Sequence, residues 1–269
     1  MTAPPAAHTV RTHKTLRTDR QGPVLSIELN TPDEGNAVTG TMLDELLAVL
    51  DAQDGDVRVV VLSGAGDDFC LGGDRSEFAE QLAHDPTGGG IRASGAKARR
   101  VCEALSANPA VTIARVQGKA IGAGLALALA CDLRVGADTA TFRLPELALG
   151  LPTAWGGLLP RLLNEVGAAR VRELVLTCRS FDAEEARQLS ILQSVVPEGD
   201  LDAAVRAWAA PVVRRSPTAL RITKHLFNAY TSATRLADIT ALDAELMAST
   251  LAAHEYTTGK AARRTGHLF

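Results

Sequence analysis

Apolar residues follow two rhythms along this chain, and the switches between them mark its elements. Val24-Leu25-Ser26-Ile27-Glu28-Leu29 alternates as a half-buried strand. Met42, Leu43, Leu46, Leu47 and Leu50 recur at helical spacing, which predicts an amphipathic helix over Thr41–Ala52. Val57–Leu62 and Val111–Val116 are apolar runs of strand length, and Asp132–Val135 and Ala140–Phe142 read as two further short strands. Lys97–Leu105 reads as a helix broken by Asn108-Pro109. The polar, glycine-rich His84–Gly95 between these elements is expected to be a flexible lid or pocket rim. From Ala168 onward helices dominate, with Ser216-Pro217 supplying an N-cap serine and a proline at the first helical position.

Residues 1–12, with Pro4-Pro5, read as a flexible leader. Residues 13–200 then form an α/β core and residues 201–269 a C-terminal helical region, with no sharp linker between them. Strands come about two to a helix, so the pattern is neither a Rossmann unit nor a TIM barrel.

Two glycine turns interrupt the rhythm where a helix is about to start. In Gln117–Cys131, Gly118, Gly122 and Gly124 precede a helix of Ala and Leu. In Asp68–Phe78, Gly72 and Gly73 precede a capping-type pair, Asp74 and Glu77. Glycine lets a ligand approach the backbone, and the first N–H groups of a helix have no partner within it. Such turns hold phosphate, or an oxygen that becomes negative during a reaction.

Composition narrows the choice. At 269 residues, with 46% apolar and 22% charged positions, the chain is long enough to bury a full core. A net charge of −3 gives no general attraction to nucleic acid or anionic membrane. No run spans a bilayer, and the N-terminus has no apolar signal region, so a soluble cytoplasmic protein is expected. Cys70, Cys102, Cys131 and Cys178 are far apart and read as reduced, buried thiols. The six histidines have no metal-ligand spacing, and the Walker A, dinucleotide, G-x-S-x-G and H-E-x-x-H patterns are missing, so no metal is expected.

The series L-N-T-P-D-E-G-N-A-V (Leu29–Val38), F-C-L-G-G-D (Phe69–Asp74), G-K-A-I-G-A-G (Gly118–Gly124), C-D-L-R (Cys131–Arg134), F-R-L-P-E (Phe142–Glu146) and W-G-G (Trp155–Gly157) resembles the enoyl-CoA hydratase/isomerase (crotonase) family. The resemblance runs from about Leu25 to Lys224. It implies a crotonase-like ββα spiral with a C-terminal helical region that drives trimer formation, as a homotrimer or a hexamer. It also implies an acyl-CoA thioester substrate, with coenzyme A as part of the substrate and no separate cofactor. By position, Gly73 and Ala123 supply the two backbone N–H groups of an oxyanion hole, and Glu146 is the catalytic carboxylate. Coenzyme A is expected along Asn36, Ala37, Val38, Leu71, Gly72 and Asp74, and the acyl group near Ala126 and Trp155.

Three positions depart from the family pattern. Hydratases of this family use two glutamates, and the first falls on Ala126 here. One glutamate suffices to move a proton between two carbons, so double-bond isomerisation is favoured over hydration. Ala154 stands where dienoyl-CoA isomerases carry an aspartate, and Ala123 stands where glycine is usual. The alternatives are hydration with another second acid/base group, for instance from Gly88–Gly95, and a weakly catalytic protein that binds an acyl thioester on CoA or on a carrier-protein pantetheine.

Simpler roles compete at several of these residues. Glu146 as a surface ion pair with Arg143 is weighed against catalysis, and catalysis is preferred. Asp74 reads as a helix cap, Asp132 as a local backbone partner, and Lys224 as part of a solvated face.

Overall fold

The structure, a computed structural model, describes residues 8–233 and 242–252. It contains ten strands: β1 (His8–Thr12), β2 (Leu16–Gln21), β3 (Val24–Leu29), β4 (Val59–Gly64), β5 (Val111–Val116), β6 (Lys119–Ile121), β7 (Leu133–Ala137), β8 (Thr141–Arg143), β9 (Ser180–Asp182) and β10 (Ser194–Val196). The helices are α1 (Gly40–Asp51), α2 (Arg75–His84), α3 (Gly89–Ser106), α4 (Ala123–Leu129), α5 (Leu158–Glu165), α6 (Ala168–Thr177), α7 (Ala183–Gln188), α8 (Leu201–Val213), α9 (Pro217–Ala233) and α10 (Asp243–Ala252).

The large sheet has the order β1-β2-β3-β4-β5-β7-β10. Its first three strands pair antiparallel, and from β3 onward every pairing is parallel. A second layer holds β6-β8-β9. Isolated bridges Val38↔Gly73 and Cys70↔Ala120 carry the same kind of pairing into the neighbouring loops. Successive turns of chain therefore give a long strand to the first layer, a short one to the second, and then a helix, which is the ββα spiral. Ile27, Leu62, Ile113, Val116 and Val135 are fully buried between the layers and their helices.

The apolar pattern placed the buried strands and α1 within two residues. Elsewhere the structure differs from the pattern. Within residues 1–12, His8–Thr12 is not leader but edge strand β1, paired along its length with β2; the rest of that segment lies outside the described residues. Both strands are polar on their exposed face, so neither shows an apolar run. Helix α8, expected to begin the C-terminal helical region, packs into the core: Leu201, Val205 and Ala209 are buried in its main cluster. His84–Gly95 is ordered, because α2 runs to His84 and α3 begins at Gly89. Two short strands, β9 and β10, interrupt the helices after Ala168.

Lys224, read as part of a solvated face, is buried on α9. Its ammonium lies 2.7 Å from Asp132 Oδ2 and donates to Ala110 O at 2.8 Å. Asp132 also accepts from the Thr112 N–H at 2.7 Å, so it ties local backbone as expected. The rest of α9 exposes Ile222, Leu226, Phe227 and Tyr230. Among the described residues no helix is long and apolar enough to cross a membrane.

Candidate active site

The two glycine turns meet. The segments around Val38 and Gly73 are zipped by Val38 N–H to Gly72 O at 2.8 Å and Asp74 N–H to Val38 O at 3.0 Å. Cys70 bonds across to the second turn through its N–H to Lys119 O and through its carbonyl to the Ile121 N–H. Gly72 sits at φ +105°, and a Cβ there would stand 3.1 Å from Ile121 O and 4.0 Å from the Ala123 nitrogen. A side chain would close the gap between the turns and strain the backbone as well.

Among the described residues, neither the Gly73 nor the Ala123 N–H has a hydrogen-bond partner. Ala123 opens α4, whose preceding residue, Gly122, gives no side-chain cap. Gly73 precedes α2, whose first donors are instead satisfied by Asp74: its Oδ1 accepts from Ser76 N at 2.8 Å and Glu77 N at 3.2 Å. Glu77 in turn caps α1 by accepting from the Gly40 N–H at 2.9 Å.

Glu146 lies beside Gly122. A Cβ on Gly122 would stand 2.9 Å from Glu146 Oε1. The glutamate is 8% exposed, and its Oε2 is buried with no partner. Loss of water around the carboxylate pushes its pKa up from 4.5 to about 7. The alternative ion pair does not form, because Arg143 donates to Cys178 O instead. The loop that follows is tied back to the glutamate, since Glu146 O accepts from Leu149 N and Leu151 N, both at 2.9 Å.

A small cavity of about 20 Å³ is lined in part by Val38, whose loop is zipped to that of Gly73, and by Phe78, Ile91, Ser94, Trp155 and Met247. Gly73 lies next to one of its walls, since a Cβ on that residue would stand 3.1 Å from the Phe78 ring. Trp155, expected near the acyl group, lines this cavity. Ala126 does not line the cavity, being packed inside α4 at 1% exposure. Asn36 is also spent internally. Its side chain accepts from Thr31 N and donates to Ala65 O and Asp68 O, so it shapes the loop and has no free amide to offer a ligand. Ala37 is half-buried and Leu71 exposed on the two zipped loops.

Ile91, Ser94 and Gly95 fall in the His84–Gly95 segment expected to form a pocket rim, whereas Phe78 and Met247 were not assigned to the site by sequence. Cys70 and Cys131 are buried thiols whose pKa burial pushes up to about 12, which makes them inert. Among the described residues no cluster of three potential metal ligands occurs.

A short-chain-enoyl-CoA hydratase of Clostridium acetobutylicum is 30% identical to this chain over 213 residues, covering 78% of the chain and 79% of the relative. A Thermobifida fusca protein solved in complex with CoA is 34% identical with a TM-score of 0.74, covering 93% of each chain. An enoyl-CoA hydratase from Mycobacterium avium subsp. paratuberculosis superposes with a TM-score of 0.81 at 26% identity, covering 95% of this chain and 98% of the other. Residues 19–265 match the enoyl-CoA hydratase/isomerase family as a whole. Spiral, paired glycine turns, buried glutamate and sequence agree, and the chain belongs to the enoyl-CoA hydratase/isomerase family.

Proposed function

We propose that this family member binds an enoyl thioester of coenzyme A and moves its double bond through an enolate, with Glu146 as the only proton carrier. The observation that carries this reading is the isolation of Glu146, a carboxylate 8% exposed with an unpartnered oxygen, beside the Gly122 turn that leads into the open Ala123 N–H. The thioester oxygen accepts from Gly73 and Ala123. Such preorganised donors are each worth roughly a hundred- to a thousand-fold in rate. Glu146 takes a proton from C2 of a 3-enoyl thioester, the dienolate keeps its charge on the held oxygen, and the proton returns at C4. No water is consumed. A carboxyl group with a pKa of about 7 both accepts and returns a proton near neutrality.

Carboxylate count supports isomerisation. Ala126 occupies the position of the first of the family's two glutamates, and Glu77, which lines the cavity, is committed to the Gly40 N–H. A specific observation favours hydration as the second reading. The Ser94 side chain borders the cavity, and Thr153 Oγ1 is buried without a partner on the loop after Glu146. Either hydroxyl offers a place to hold water, and the Clostridium relative is named a hydratase. Coenzyme A runs along the zipped loops at Ala37–Val38 and Leu71–Asp74. Assembly as a trimer, alone or doubled, uses the exposed apolar residues of α9, and light scattering of the purified protein measures it.

The deciding experiment offers 3-enoyl-CoA and 2-enoyl-CoA to the protein and to Glu146→Gln and separates the products by chromatography. The expected result is 3-enoyl to 2-enoyl conversion without 3-hydroxyacyl product, lost in the variant. Rapid appearance of 3-hydroxyacyl-CoA from 2-enoyl-CoA would replace isomerisation by hydration.

A further inference from the structure

One wall of the cavity comes from far along the chain. Helix α10 lies against α3, and the approach depends on two glycines of α3 and its cap. A Cβ on Gly95 would stand 2.7 Å from the Ala244 Cβ, and one on Gly88 would stand 3.2 Å from the Ala248 Cβ. Side chains at these positions would hold the helices apart.

Further contacts fix α10 in place. Arg92 on α3 forms a two-bonded ion pair with Glu245, with Nη2 to Oε1 at 3.0 Å. At the start of α10, Asp243 accepts from the Gly157 N–H at 3.1 Å, tying the helix to the loop that carries Trp155. On its inner face, Met247, Ala248 and Leu251 pack with Ile91 and Leu151 in a small apolar cluster separate from the main core. Met247 is 7% exposed and lines the cavity together with Ile91, Trp155 and Phe78, whose ring is the neighbour of Gly73.

The space left is small. A volume of about 20 Å³ holds roughly one water-sized group.

We propose that α10, through Met247, sets the length of acyl chain the site accepts and restricts it to short chains. This inference rests on the acyl-CoA reading of the site. Methionine suits the position because its unbranched side chain lines the cavity and truncation enlarges it without adding a polar group.

The test measures binding of butyryl-CoA and decanoyl-CoA by calorimetry on the full-length protein, on Met247→Ala and on Gly95→Val. The wild-type protein is expected to bind butyryl-CoA the more tightly. Met247→Ala is expected to shift the ratio of the two affinities toward decanoyl-CoA by about tenfold or more, the range that a methylene or two commands in an apolar pocket. Gly95→Val reaches the same wall by crowding Ala244, and it is expected to shift the ratio in the same direction. Arg92→Ala breaks only an outer, partly exposed ion pair and is expected to shift it little. Parallel kcat/KM ratios for short and long enoyl-CoA substrates should follow the binding ratios. An unchanged ratio in a folded Met247→Ala or Gly95→Val protein overturns the inference and leaves the acyl-CoA reading intact. Absence of binding to either ester overturns both.

Discussion

Two carboxylates stand at the two glycine turns, and their surroundings treat them in opposite ways. Asp74 is half-buried, and burial alone would raise its pKa. The Ser76 hydroxyl and the Glu77 and Ser76 N–H groups outweigh that effect and hold it below the usual aspartate value. Glu146 is more deeply buried and receives no comparable set of donors, so desolvation wins and its pKa rises to about 7. A carboxylate with all its bonds made fixes backbone and stays charged. One with an oxygen left unpaired stays near its titration point and is available for chemistry. The contrast separates the residue that builds the site from the residue that works in it.

The largest expected effect breaks the Glu146 side of this contrast. Glu146→Gln keeps the shape and removes the proton carrier, so kcat should fall by about 10²–10⁴-fold while affinity for a CoA thioester persists. In the wild-type protein kcat/KM should rise with pH through about 7, because the free enzyme must hold Glu146 ionised to accept a proton. The stability consequence has the opposite direction. A carboxylate whose folded pKa is raised binds its proton more tightly in the folded state. Folding therefore loses stability as pH climbs from 4.5 to about 7, by about 3 kcal/mol in total. Denaturant titrations at pH 4 and pH 8 should show Glu146→Gln gaining on the wild type at the higher pH. Equal pH dependence in both proteins would mean that Glu146 is solvated after all.

A smaller effect comes from moving Glu146 rather than deleting it. Gly122 has φ +51°, and a methyl group there would lie 2.9 Å from Glu146 Oε1. Gly122→Ala should strain the turn by about 1–3 kcal/mol. It should also displace the carboxylate enough to lower kcat by about a hundredfold, with a lesser change in KM. A stability loss without a kinetic one would show that the turn yields and the glutamate does not.

Much of this was legible before any coordinates. A glycine turn leading into a helix is a local pattern, and an apolar strand is a local pattern, so Gly72, Gly73, Gly122 and Val111–Val116 announced themselves. Glu146 was found through its place in a motif series, and a raised pKa follows from any apolar pocket around it, but which elements leave its oxygen unpartnered was not legible. Where the outcome hinged on a distant partner, the reading failed. Lys224 looks like any surface lysine until Asp132 and the Ala110 carbonyl, more than ninety residues earlier, are brought to it. His84–Gly95 looked flexible because its glycines were seen without α10, the helix they admit. Strand β1 was missed because an edge strand exposed on both sides needs no apolar alternation.

The smallest expected effect tests the Asp74 side. Asp74→Ala removes the cap from α2 and frees the Ser76 and Glu77 N–H groups, which should cost about 0.5–2 kcal/mol of stability. Its pH dependence mirrors that of Glu146. The folded pKa is lowered, so the stabilisation is present above the ordinary aspartate value of 3.8 and is lost as pH falls through the lower folded value. Wild type and variant should therefore differ near neutrality and converge in acid, whereas the Glu146→Gln comparison converges in acid from the other side. Because Asp74 adjoins Gly73 and its N–H bonds Val38 O, a modest fall in kcat is expected from a looser oxyanion donor. Asp74→Asn restores a capping oxygen without a charge, and it should recover most of both losses. If Asp74→Asn were instead as inactive as Glu146→Gln, Asp74 would have to act on the substrate itself, and the division of labour between the two carboxylates would fall.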